Sequence, residues 1–159
     1  MASAKSISLA KALKVKNRLA GRLTDTQTNI ETYNSVLDTR QNEVDVKKLY
    51  ELRGQLVEAL ISLKTAISDA NTKQRRNLYE IEEVRGNITF LKNLNTRQGA
   101  EPAYGREKDQ VYVATLQKKE VDATVKKLEG RLDELQDEID TYNVTTKIEV
   151  AETILNLAS

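Results

Sequence analysis

This sequence predicts an all-α fold: an elongated antiparallel helical bundle with coiled-coil packing, of about four main helices and a short C-terminal one. Three observations predict it. Apolar residues recur three and four apart along nearly the whole chain, the period of one helix face. A single proline, Pro102, breaks that pattern. With 39 % apolar and 31 % charged residues, the composition suits helices that each bury one narrow stripe and leave the rest in water. The 159 residues read as a single helical domain, 1–159.

The first helix is expected over 6–37, with Leu9, Ala12, Leu19, Leu23, Ile30, Tyr33 and Leu37 on its buried face and Lys16 as a misfit in the row. The polar run 38–43 reads as a turn. Asn42 is placed to cap a second helix over 44–70, with Glu43 and Asp45 in its first turn. That helix carries Leu49, Leu56, Leu60, Leu63, Ile67 and Ala70. Asn77 and Glu80 have capping-box spacing and open a third helix over 78–96, whose stripe is Leu78, Ile81, Val84, Ile88, Leu91 and Leu94.

Two glycines and the proline fall within 97–106, the clearest loop in the chain, with Tyr104 and Arg106 as candidates to anchor it. The fourth helix is expected over 107–143. Val121, Val125, Leu128, Leu132, Leu135, Ile139 and Tyr142 alternate steps of four and three, which is a coiled-coil seam. At 1.5 Å per residue this helix would run about 50 Å, longer than the third helix can cover, so a homo-oligomer is expected. Thr146 and Glu149 form a second capping-box pair ahead of a terminal helix over 147–157. A heptad echo (Leu23, Ile30, Asn34; Leu60, Ile67, Asn71; Leu132, Ile139, Asn143) puts an Asn near three helix ends, where a left-handed residue often closes a helix.

Several chemistries are excluded by composition. The chain has no Cys, hence no disulfide, thiolate or iron–sulfur chemistry. It has no His, hence no Ser-His pair, no imidazole base and no Glu-x-x-His metal site. The glycines match no phosphate-cradling spacing, so no cofactor is expected. The N-terminus lacks a signal-like apolar run and no stretch is long enough to span a bilayer. A cytoplasmic setting is therefore expected, with a virion component as the other fitting one. The Asn-x-Thr triplets at Asn87 and Asn143 accordingly read as chance.

Charge is distributed unevenly, although the net charge is only +1. Lys11, Lys14, Arg18 and Arg22 form a basic stripe on the first helix. Glu129, Asp133, Glu134, Asp137, Glu138 and Asp140 crowd the fourth, against Arg131 alone. These carboxylates read as a solvated face. The basic stripe is expected to pair with that acidic helix, within or between chains, in preference to a nucleic acid or an anionic membrane. Lys73, Arg75 and Arg76 make a smaller cluster suited to the end of the second helix.

The order of features resembles a family of small bacterial helical proteins labelled septicolysin-like. The likeness lies in Leu9-Ala-Lys-Ala-Leu13, in Ile67-Ser-Asp-Ala-Asn71-Thr72, in Tyr104-Gly-Arg106, and in Leu135-Gln-Asp-Glu-Ile139-Asp-Thr-Tyr-Asn143-Val-Thr145, and covers about 9–148. Where the family pattern has Trp after the final Asn, this chain has Val144. The resemblance implies an all-helical fold and carries no activity onto any residue. The expected function is a non-enzymatic structural or assembly protein, bacterial cytoplasmic or phage structural, acting through self-association and protein–protein contacts. The competing class is a membrane- or polyanion-binding protein using the basic first helix.

Overall fold

The computed structural model describes residues 3–39, 42, 44–102, 105 and 110–159. Helices dominate, as the apolar period dictates, and two small antiparallel strand pairs are added. The chain forms two compact units: one takes the residues up to Lys73 together with Asp140–Ser159, the other Gln74–Ile139.

The first unit opens with strand β1 (Ala4–Ser8), which runs straight into helix α1 (Leu9–Tyr33). Ser8 makes the change of conformation: its extended backbone ends the strand while its Oγ accepts the Lys11 N–H at 3.2 Å and caps the helix. Helix α2 (Val46–Ala70) is capped by Asp45, whose carboxylate accepts the Lys48 N–H at 3.1 Å. The end of helix α4 (Lys118–Thr145) leads into β4 (Lys147–Ala151) and the short α5 (Glu152–Leu157). β1 and β4 pair antiparallel, with Ala4 opposite Ala151 and Ser8 opposite Lys147. Leu9 N–H to the Thr146 carbonyl and Glu152 N–H to the Ser3 carbonyl, both 2.8 Å, extend the ladder at each end.

Leu9, Leu19, Leu56 and Leu63 are fully buried in this unit, joined by Ile7 and Val150 from the strands. Each such side chain contributes roughly 1.5–3 kcal/mol of transfer free energy. The small buried residues Ala12 and Ala59 let α1 and α2 approach closely.

In the second unit, helix α3 (Arg75–Lys92) follows a 3₁₀ turn over Asn71–Gln74. Its stripe meets that of α4 in two clusters: Ile81 with Leu135 and Ile139, and Ile88 with Val121 and Val125. Between the helices, β2 (Gly99–Glu101) and β3 (Gln110–Tyr112) form a short hairpin. Gly99 enters it at φ 101°, a backbone that side-chain-bearing residues rarely adopt. Arg97 holds the arm together by an ion pair with Glu101 and by stacking 4.4 Å from the Tyr112 ring centroid.

Several expectations need correction. The first helix spans neither 6–8, which is strand, nor 34–37; Asn34 caps it, and Leu37 is exposed. The third helix starts at Arg75 and ends at Lys92, so Arg75 and Arg76 open α3 and do not close α2. The fourth starts at Lys118, because Gln110–Tyr112 is paired as strand. The terminal helix over 147–157 is β4 followed by α5, so the Thr146–Glu149 capping box does not form. Asp45, not Asn42, caps α2; Asn42 donates its amide to the Tyr33 carbonyl at 2.8 Å. Asn34 and Asn71 close their helices in right-handed conformations, and Asn143 lies inside α4. Glu43, Tyr104, Arg106 and Glu107 lie outside the described residues.

A polar contact ties the end of α4 to the end of α2: the half-buried Tyr142 hydroxyl donates to the Ala70 carbonyl at 2.6 Å. Tyr142→Phe should therefore lower stability by about 0.5–1.5 kcal/mol in urea denaturation, with helix content unchanged. An unchanged midpoint would mean that water replaces this bond without loss.

Candidate interaction surfaces

The basic stripe falls on the solvent side of α1, because the heptad that buries Leu9, Ala12, Val15 and Leu19 turns Lys11, Lys14, Arg18 and Arg22 outward. Arg22 has a structural role: its guanidinium donates to the Leu157 carbonyl at 2.8 Å, satisfying an orphan carbonyl at the end of α5. It also borders an open groove of about 690 Å³ floored by Ala59, Ile154 and Leu157. Lys11, Lys14 and Arg18 make no ion pair among the described residues.

The acidic side chains of α4 find most of their partners in their own unit. Glu129 pairs with Lys92 at 2.8 Å. Arg131 gathers Glu80 at 2.9 Å, Glu134 at 3.3 Å and Glu138 at 3.6 Å, and the Asn77 amide donates to Glu138 at 2.7 Å. Asn77 and Glu80, expected to cap α3, are instead bound to α4, one turn into a helix that has already begun. Asp133 and Asp137 stay exposed and make no ion pair among the described residues. Among the described residues no group of three or more carboxylates is placed to hold a metal ion.

The seam is met from within the chain. Val121 and Val125 are buried with Ile88, Leu135 and Ile139 with Ile81, and the half-buried Leu128 and Leu132 pack on the same clusters. Tyr142, its last member, belongs to the first unit and packs against that core.

Two surfaces escaped the sequence reading. On the hairpin arm, Val111, Val113 and Leu116 are 70 %, 79 % and 53 % exposed and join no core cluster among the described residues. The run Val111-Tyr-Val113, β-branched and aromatic next to a Pro/Gly loop, was the available signal for that strand. The outer edge of β1 is the second surface. Its partner, Lys147-Ile-Glu-Val-Ala151, alternates polar and apolar residues and could have been read as a strand.

No described helix is long and apolar enough to cross a membrane. Comparison of the chain with protein-family models, with curated proteins and with solved structures finds no match.

Arg131 sets a pH dependence. Its hydrogen bond to Glu80, aided by its charge, holds that carboxyl below the ordinary glutamate range. A depressed carboxylate contributes stability above its unfolded pKa and loses it as pH falls through the folded value. The melting-temperature gap between the native protein and Arg131→Gln should thus be widest near neutrality and narrow below about pH 4. A gap that stays constant through acid pH would show that Arg131 acts only through packing.

Proposed function

We propose that this protein is a non-enzymatic assembly protein, working by self-association and protein–protein contacts through helical units that present an apolar arm. The observation that carries the reading is the β2–β3 arm. A two-stranded hairpin alone is marginal in water. This one is held by Arg97 and by the Gln98 side chain, which accepts the Ala114 N–H at 2.8 Å, yet it leaves its valines exposed. Apolar side chains presented this way usually mark a contact surface. A second copy of the chain is the natural partner for a structural protein of this kind, in the bacterial cytoplasm or in a phage particle, and the septicolysin-like resemblance is compatible with either setting.

Light scattering at micromolar concentration should give a mass above that of one chain. Val111→Glu with Val113→Glu should shift the population to smaller species without changing the helix content of the chain, since both side chains are already exposed. A single-chain mass for the native protein contradicts the reading.

A second reading has its own support: Lys11, Lys14 and Arg18 are exposed cations without ion partners among the described residues. Such a face can lie on an anionic membrane. If it does, the protein co-sediments with phosphatidylserine vesicles at low salt. Binding then collapses as salt shortens the screening length to about 10 Å at 0.1 M, and the triple reversal to Glu abolishes it. The assembly reading expects feeble binding in all of these conditions.

A further inference from the structure

The groove beside Arg22 is built wholly by the first unit: α2 supplies one wall, α1 contributes Arg22, and the end of β4 with α5 supplies the other. Gln55, Ala59 and Ser62 stand four and three apart, so a single face of α2 lines it. Its volume of about 690 Å³ lies in the range of sites for small ligands. The buried Ala59 and the half-buried Ile154 and Leu157 leave an apolar floor. Around that floor the polar side chains are uncommitted. Gln55, Ser62 and Asn156 make no side-chain hydrogen bond among the described residues, whereas Thr65, one turn on, returns its hydroxyl to the Ile61 carbonyl. Glu58 makes no ion pair among the described residues. Arg22 is fixed at Nη1 by the Leu157 carbonyl, and its Nε–Nη2 edge has no partner among the described residues. A cation and an anion thus line one groove without pairing with each other.

From these uncommitted groups we propose that the groove binds a short apolar peptide with both ends free. Each part of that ligand has its complement here. The carboxylate matches the open edge of the Arg22 fork, since guanidinium binds carboxylates through two parallel N–H donors. The ammonium matches Glu58. Every peptide group offers a donor and an acceptor, as do the side-chain amides of Gln55 and Asn156. Apolar side chains cover Ala59, Ile154 and Leu157. Length follows from the helices that bear the two charges: α1 and α2 share one core, packed helix axes lie about 8–10 Å apart, and about three extended residues span that distance. Charge selects against two other occupants. A fatty acid brings nothing to Glu58, and a phosphate is repelled by it. The hairpin arm belongs to the second unit, so peptide binding and assembly are tested apart.

Amide NMR of the isotope-labelled chain, titrated with tri-leucine, is the direct test. Saturable shifts should centre on the Ala59, Ile154 and Leu157 amides. Acetylating the peptide's N-terminus should weaken binding to the native chain about fivefold, the scale of one exposed ion pair, and should make no difference to Glu58→Gln. Ser62→Trp, at an exposed position, should fill the groove and abolish the shifts, with circular dichroism confirming the native helix content. No saturable shift at millimolar tri-leucine would overturn the proposal, as would shifts that persist in Ser62→Trp. Equal affinity for the free and acetylated peptides, or octanoate binding as tightly as tri-leucine, would overturn it too. None of these outcomes bears on self-association, which light scattering reads independently.

Discussion

The pairing of β1 with β4 is the contact on which the first unit depends. That unit is assembled from two stretches of chain separated by the whole second unit, and only segments that meet across this gap can close its core. Ile7 and Val150, one from each strand, are buried in the same cluster as Leu9, Leu56 and Leu63. Ordering five residues on each side costs about 1–2 kcal/mol per residue in backbone entropy. Backbone bonds and those two side chains must offset it, with Lys5–Glu152 adding little at an exposed site. The strands also orient the helices that adjoin them: Ser8 ends β1 and caps α1, while Thr146 accepts from Leu9 as α4 gives way to β4.

The second unit solves its problem differently. α3 and α4 meet through branched and long aliphatic side chains, and polar side chains finish the interface. Arg131 collects three carboxylates that would otherwise repel one another along α4 and α3, so the acidic run is partly a neutralised network and partly a solvated face. This explains why a helix so rich in Asp and Glu can keep a regular apolar stripe without a partner of opposite charge along its full length.

How much of this was legible follows from where the information sits. Stripes such as Leu56, Leu60, Leu63 and Ile67 are local, because a helix face is written within a few turns, and all four are buried. β1 was illegible for a physical reason. Its alternation, Ser6-Ile7-Ser8-Leu9, is only four residues long, its partner lies some 140 positions away, and Leu9 and Ala12 continue a helical spacing directly after it. β3 was legible from its β-branched and aromatic run and β4 from its alternation, but both were overruled by longer helical patterns. The capping pairs misled because Asn77, Glu80, Thr146 and Glu149 have the right spacing but stand in contexts that use them otherwise: two are bound to α4 and two lie at or in a strand. Among the candidate interaction residues, the spacing placed Lys11, Lys14 and Arg18 on a wet face, but it gave no hint that Arg22 is spent on the Leu157 carbonyl.

The claim that strand pairing closes the first unit is tested most directly by native-state hydrogen exchange, resolved by residue. If the account holds, the Ile7 and Val150 amides exchange as slowly as those of Leu19 and Leu63, because opening the pair opens the core they share. Fast exchange at Ile7 and Val150, with α1 and α2 still protected, would contradict it: the strands would then be ornaments on a helical pair that is stable without them.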